Sequence, residues 1–173
     1  SYALNSNLTG TSNQAFGTYS LQNLTDGHGN SALGFSALSD GTSFSYNSAF
    51  GSNALQHTTT GNRNVAIGFA AMLLNEGGSD NVAIGTVAAY NDSGNKNVII
   101  GDSARYNGSS GNENVAIGYR AFYGNLTGYN NTAVGADSQR KSTFGTGNVS
   151  LGHSSLQNNS TGNYNIAIGN GAL

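Results

Sequence analysis

The chain has no cysteine, no proline and no tryptophan, and only 8% of its 173 residues are charged, against about 25% in an average chain. Without cysteine there is no disulfide frame and no thiolate metal site. Lys and Arg together number six and the net charge is −2. No basic patch is available for phosphate contacts, which excludes a nucleic-acid partner. No run approaches the ~18 apolar residues of a membrane span, so this segment is not expected to insert in a bilayer. The chain opens at Ser1 with neither Met nor a signal-like apolar run, which reads as a processed or excised piece. What is abundant is Gly and Asn, at 26 residues each.

Those two residues mark a repeat. The word Asn-x-small-apolar-Gly is clearest at Asn64 to Gly68, Asn81 to Gly85, Asn114 to Gly118 and Asn165 to Gly169. Weaker copies start at Asn13, Asn30, Asn47, Asn97, Asn131 and Asn148. The ten closing glycines run from Gly17 to Gly169 at a spacing of 17, except for one spacing of 16 between Gly85 and Gly101. A Gly stands three residues before the Asn in nine copies, with Phe44 the exception, and Ala or Ser stands three after every closing Gly. The next residue is usually apolar, as in Leu21, Leu38, Leu55, Met72, Phe122 and Leu156; Arg105 and Gln139 break the column.

Seventeen residues are too few for helix-pair repeats, which need about 33 or more, and Gly- and Asn-rich words have poor helix propensity. Val-Ala-Ile between Asn and Gly predicts a short strand bounded by turns, and the Ala-Leu word predicts a second one. The expected fold is therefore all-β, a right- or left-handed parallel β-solenoid of about ten 17-residue coils. It forms one array over residues 1–173, a fragment of a longer rod. Stacked about 4.8 Å apart, ten coils give a rod of about 48 Å. The large residue before each closing Gly predicts a buried core ladder of Ile67, Ile84, Ile100, Ile117 and Ile168, with the residue two earlier on the same face. The Ala column between them, exemplified by Ala83 and Ala116, then points the other way, against a second sheet or a neighbouring chain. Gln14, Ser31 and Ser48 imply a thinner or wetter core at that end.

The word Asn-Val-Ala-Ile-Gly-x-x-Ala resembles the head repeat of YadA-like trimeric autotransporter adhesins, and similar words occur in bacterial surface proteins and phage tail fibres. The likeness spans the whole chain. It implies a left-handed parallel β-roll, three chains side by side, Val and Ile columns lining each roll and small columns at the trimer contact. The period of 17 is longer than that family's usual one, which implies an added loop per coil.

Chemistry-bearing residues give little to catalysis. His28, His57 and His153 fall at three different phases of the repeat, and the eight acidic residues are scattered. Asp80, Asn97 and Glu113 lie near the strand entry of neighbouring coils, but no calcium nonapeptide accompanies them. No catalytic site, metal or cofactor is expected. Asn64, Asn81, Asn97, Asn114 and Asn165 predict a hydrogen-bonded ladder of stacked amides. Among the Asn-x-Ser/Thr sequons, Asn7, Asn23, Asn91, Asn107 and Asn158 are read as one loop phase, either Asx turns or glycosylation sites. Tyr90, Tyr106 and Tyr123 share a phase on successive coils and predict an aromatic ladder, for packing or for a sugar platform.

The expectation is a non-enzymatic extracellular rod: an adhesin head, a surface filament or fibril subunit, or a virion fibre shaft. The alternative is a lectin-like carbohydrate-binding module. The expected partners are further copies of the chain, as a trimer or an end-to-end filament, and glycans or a host surface. In-register ends at Ser1 and Leu173, without capping coils, point to a continuous fibre.

Overall fold

The computed structural model describes residues 2–124 and 127–173. It is an all-β solenoid. Ten three-residue strands carry the ten words: β1 Gln14–Phe16, β2 Ser31–Leu33, β3 Ser48–Phe50, β4 Val65–Ile67, β5 Val82–Ile84, β6 Val98–Ile100, β7 Val115–Ile117, β8 Thr132–Val134, β9 Val149–Leu151 and β10 Ile166–Ile168. They pair in chain order as one parallel sheet. The register repeats without slippage, so Val65 faces Val82, Ala66 faces Ala83 and Ile67 faces Ile84. The 16-residue coil keeps it, with Ala83 opposite Ile99.

The Ala-Leu word forms no second strand among the described residues. It is a run of turns in which the second and fourth residues after each closing Gly take positive φ. Ala70 and Met72 sit at φ 52° and 53°, and Val87 and Ala89 at 47° and 50°. This left-handed region is uncommon for side-chain-bearing residues. Here it turns successive amides up and down the rod. The Ala70 N–H donates to the Ser52 carbonyl of the preceding coil at 2.9 Å, and the Met72 N–H donates to the Ala88 carbonyl of the next at 2.9 Å. Each coil thus satisfies its backbone through its neighbours, as buried peptide groups require, without strand geometry.

The closing Gly is fixed by a close approach. A Cβ on Gly68, at φ 135°, would lie 2.4 Å from the Gly85 carbonyl oxygen. The first nine closing glycines all meet the next coil in this way, so each needs to be Gly to stack at the sheet spacing.

The core faces the opposite way from the sequence-based expectation. The middle residue of each strand points inward: Ala49, Ala66, Ala83, Ala116 and Ala133 are fully buried. The flanking columns point outward. Ile67 is 39% and Ile168 68% exposed, and Ile84, Ile100 and Ile117 are half-buried. The Ile ladder is not the core of this chain, and Gln14, Ser31 and Ser48 are not a wet end of it. The reason is the width of the coil. The interior already holds the large residue at the fourth position after the Gly, where Leu21, Leu38, Leu55 and Met72 are fully buried, and the opposing strand can contribute only a methyl group. Restriction to Ala reports a tight interior wall, not a contact with a neighbouring chain.

Departures from the pattern compensate within the interior. The coil with Ala89 in place of Leu carries Ile99 in place of Ala, both fully buried. The coil with Gln139 carries Ser150, and the Gln139 amide donates to the Ser150 hydroxyl at 3.0 Å, which shows that these two positions meet across the core. Phe44 fills space cleared by Gly41, where a Cβ would lie 2.8 Å from the ring. Arg105, fully buried, reaches the buried Asp92 of the preceding coil at 2.7 Å and donates to the Gly111 carbonyl at 2.9 Å. A Cβ on Gly108 would lie 2.5 Å from its guanidinium. Burial pushes the Asp92 carboxyl above the ordinary carboxylate range, against the pull of Arg105 and of a hydrogen bond from the Gly94 N–H.

Candidate interaction surface

Two side-chain columns leave the outer face of the sheet, one from the first and one from the third residue of each strand, because alternate residues of a strand share a face. From β4 onward the pairs are apolar or nearly so: Val65 with Ile67, Val82 with Ile84, Val98 with Ile100, Val115 with Ile117 and Ile166 with Ile168. In the first three coils the pairs are Gln14 with Phe16, Ser31 with Leu33 and Ser48 with Phe50. In the second and third coils a short Ser in one column thus accompanies a Leu or Phe in the other. Phe35, Phe69 and Tyr119, each about half exposed, extend the face past the closing Gly. The result is a largely apolar strip along the rod, most continuous from β4 onward.

One edge of this strip carries alternating charge. The residue before the ladder Asn is Arg63, Asp80, Lys96 and Glu113 in four successive coils, each at positive φ. Arg63 grips Asp80 with two hydrogen bonds, at 2.6 and 3.0 Å, and Lys96 stands 3.6 Å from Glu113. The hydrogen bond from Arg63 holds the Asp80 carboxyl below the ordinary carboxylate range. The acidic groups near the strand entry are therefore answered by side-chain cations. Among the described residues no three His, Asp or Glu side chains cluster as metal ligands. The histidines stand apart: His28 accepts from the Thr11 N–H at 3.1 Å, His57 pairs with Asp40 at 2.5 Å and His153 lies 3.3 Å from Asn170.

The Asn ladder runs unbroken. Asn114 accepts from the Asn131 backbone N–H at 3.0 Å and from the Asn131 amide at 3.1 Å. Its own amide donates to Asn97 at 3.2 Å and to the Gly128 carbonyl at 2.9 Å. Asn64, Asn81 and Asn97 each accept from the backbone N–H of the next ladder Asn and donate their amides to the Gly78, Gly94 and Gly111 carbonyls, and Asn165 closes the column on Asn148. These amides are spent on the rod.

A second ladder, two residues earlier, was missed in the sequence. The Ser45 N–H donates to Asn62 at 2.7 Å, the Asn62 N–H to Ser79 at 3.0 Å and the Ser79 N–H to Asn95 at 2.9 Å. It runs in the opposite sense to the Asn ladder, and the two flank the positive-φ residue between them. Its signal is a column held mostly to short hydrogen-bonding side chains: Thr11, His28, Ser45, Asn62, Ser79, Asn95, Asn112, Thr146 and Asn163, with Tyr129 the departure.

Tyr90, Tyr106 and Tyr123 stack face to face, with centroids 4.8 and 5.5 Å apart and ring planes 12° and 8° apart. Stacking of this kind uses the ring faces on one another and leaves only edges and hydroxyls outward. Sugar stacking needs an open ring face, which Tyr106, sandwiched between the other two, does not offer.

The sequons sort into different environments. Asn23, Asn91, Asn107 and Asn158 share one position, and all are exposed. Asn7 lies one residue further round the coil than these four. Its amide donates to the Gly10 carbonyl at 2.9 Å, as Asn159 donates to Gly162 at 3.1 Å.

Comparison of the chain with protein-family models, curated proteins and solved structures finds no match.

Proposed function

We propose that the chain is a non-enzymatic structural rod that lies side by side with further copies of itself, in an extracellular assembly of the adhesin-head, surface-filament or fibre-shaft kind. The observation that carries this reading is the apolar outer strand face. Ten coils at about 4.8 Å and a strip about 15 Å wide present roughly 700 Å², close to the ~800 Å² that each partner gives to a standard stable interface. An apolar patch of this size on a free monomer is unusual. Its occupant is a second copy because the face repeats at the coil spacing and so matches the spacing of an identical rod. Low overall charge leaves little repulsion between rods. The self-stacked tyrosines support a rod more than a lectin.

The reading changes which substitution separates the chains. Ala83→Arg and Ala116→Arg strike the interior and unfold the coils they sit in. Ile117→Asp strikes the strip. Light scattering at micromolar concentration is expected to show an oligomer for the parent chain and single chains for Ile117→Asp, with an unchanged circular dichroism spectrum. A single-chain parent, or an Ile117→Asp variant that stays assembled, refutes the reading.

A further inference from the structure

We infer that the rod carries N-linked oligosaccharide on one ridge, at Asn23, Asn91, Asn107 and Asn158. This inference rests on the extracellular setting proposed above, but not on the association of rods. The transfer joins the side-chain amide nitrogen of Asn to the anomeric carbon of a sugar carried on a lipid diphosphate. The diphosphate leaves with the electron pair of its bond to the sugar, and the amide gives up one proton. The reaction needs an exposed, unengaged Asn amide with Ser or Thr two residues on.

The four residues meet these requirements in one way. Each is exposed and is followed two residues later by Thr25, Ser93, Ser109 or Ser160. The backbone at three of them is held by the coil-to-coil ladder, with Asn23 N–H on Ser39 at 3.2 Å, Asn91 N–H on Tyr106 at 3.1 Å and Asn107 N–H on Tyr123 at 3.0 Å. Only the side chains are left for chemistry. The ridge lies about half a coil from the strand: Asn23 is eight residues before Ser31 of β2. Sugar there projects away from the apolar strip and leaves it clear.

The remaining sequons lie off this ridge, and three of them have engaged amides. Asn148 is buried and its amide donates to Asn131 at 3.2 Å and Gly162 at 2.8 Å, so a sugar there would break the Asn ladder. The amides of Asn7 and Asn159 are engaged with Gly10 and Gly162. Asn130 stands beside β8 at the edge of the strip, and Asn125 lies outside the described residues.

The test is peptide mapping of the chain taken from its native assembly, before and after an amidase that releases N-linked sugar and leaves Asp in place of each modified Asn. Conversion is expected at the four ridge positions and absent at Asn148. A native chain of bare polypeptide mass, or conversion at Asn148, overturns the inference. The chain secreted from a glycosylating host tests the ridge itself: Asn23→Gln, Asn107→Gln and Asn158→Gln each remove one glycan mass without shifting the melting temperature. Unchanged mass in those variants overturns the assignment. Light scattering of the unmodified chain reads the association of rods separately, so failure of either reading is visible without the other.

Discussion

Replacing Ile99 with Ala removes the one large side chain from the inward strand column. Ile99 is fully buried and shares its coil with Ala89, which stands where most other coils carry Leu, Met or Phe. The Ala variant leaves two facing small residues and a cavity, and large-to-small changes of this kind cost about 2–5 kcal/mol. At about 2–4 °C per kcal/mol for a chain of this size, the melting temperature falls by about 10 °C. Ala89→Leu on its own forces a second large group against Ile99 and costs about 1–3 kcal/mol by overpacking. The double variant restores the common coil, in which Leu55 opposes Ala66, and is expected within about 1 kcal/mol of the parent. The coupling between the two sites then reaches about 2 kcal/mol or more, well beyond the few tenths seen for independent positions. Urea denaturation of the four proteins, followed by circular dichroism, reads the cycle. If the two single costs simply add, the two columns do not meet across the interior and the compensation argument fails.

Asn114→Ala strands the Asn131 N–H and the Gly128 carbonyl in the interior, and at about 1–3 kcal/mol per unsatisfied group the loss is about 3 kcal/mol; a loss below 1 kcal/mol in urea denaturation would mean the ladder is not a support. Gly118→Ala places a Cβ 2.7 Å from the Gly135 backbone, so a lower melting temperature and faster amide exchange in β7 and β8 are expected, and unchanged exchange contradicts the close stacking. The Asp80 carboxyl has its pKa lowered in the folded state by the Arg63 hydrogen bond. Its contribution is therefore present above the unfolded value and lost as pH falls through the acid range below about 4. Asp80→Asn should be less stable than the parent at pH 7 and converge with it in acid, by a small margin because the pair is exposed; a gap that widens on acidification contradicts the sign.

The repeat period, the strand positions and the Asn ladder are legible in the sequence because each is a periodic column of one residue type. The direction of the strand was not. Alternation puts Val and Ile on one face and Ala on the other, and hydrophobicity alone assigns the larger residues to the core. The deciding quantity is the gap between coil walls, which depends on residues ten or eleven positions away: Gln139 touches Ser150, and Ala89 and Ile99 exchange sizes. The second strand was misjudged for a related reason. Val87, Met72 and Arg105 at positive φ give no propensity signal, because stacking between identical coils overrides local preference. The Tyr column was legible as a ladder. Its use was not, since the tilt of the rings decides whether a face or an edge meets solvent.

The central claim is that the apolar strand face is where rods meet, and small-angle X-ray scattering of the parent chain in solution tests it most directly through mass per unit length. A lone rod holds 17.6 kDa in about 48 Å of axis at the sheet spacing. Lateral association predicts a whole multiple of that density, two or three chains in cross-section, unchanged by dilution through the micromolar range. A density of one chain per about 48 Å would contradict the account, whether the particle is short or joined end to end.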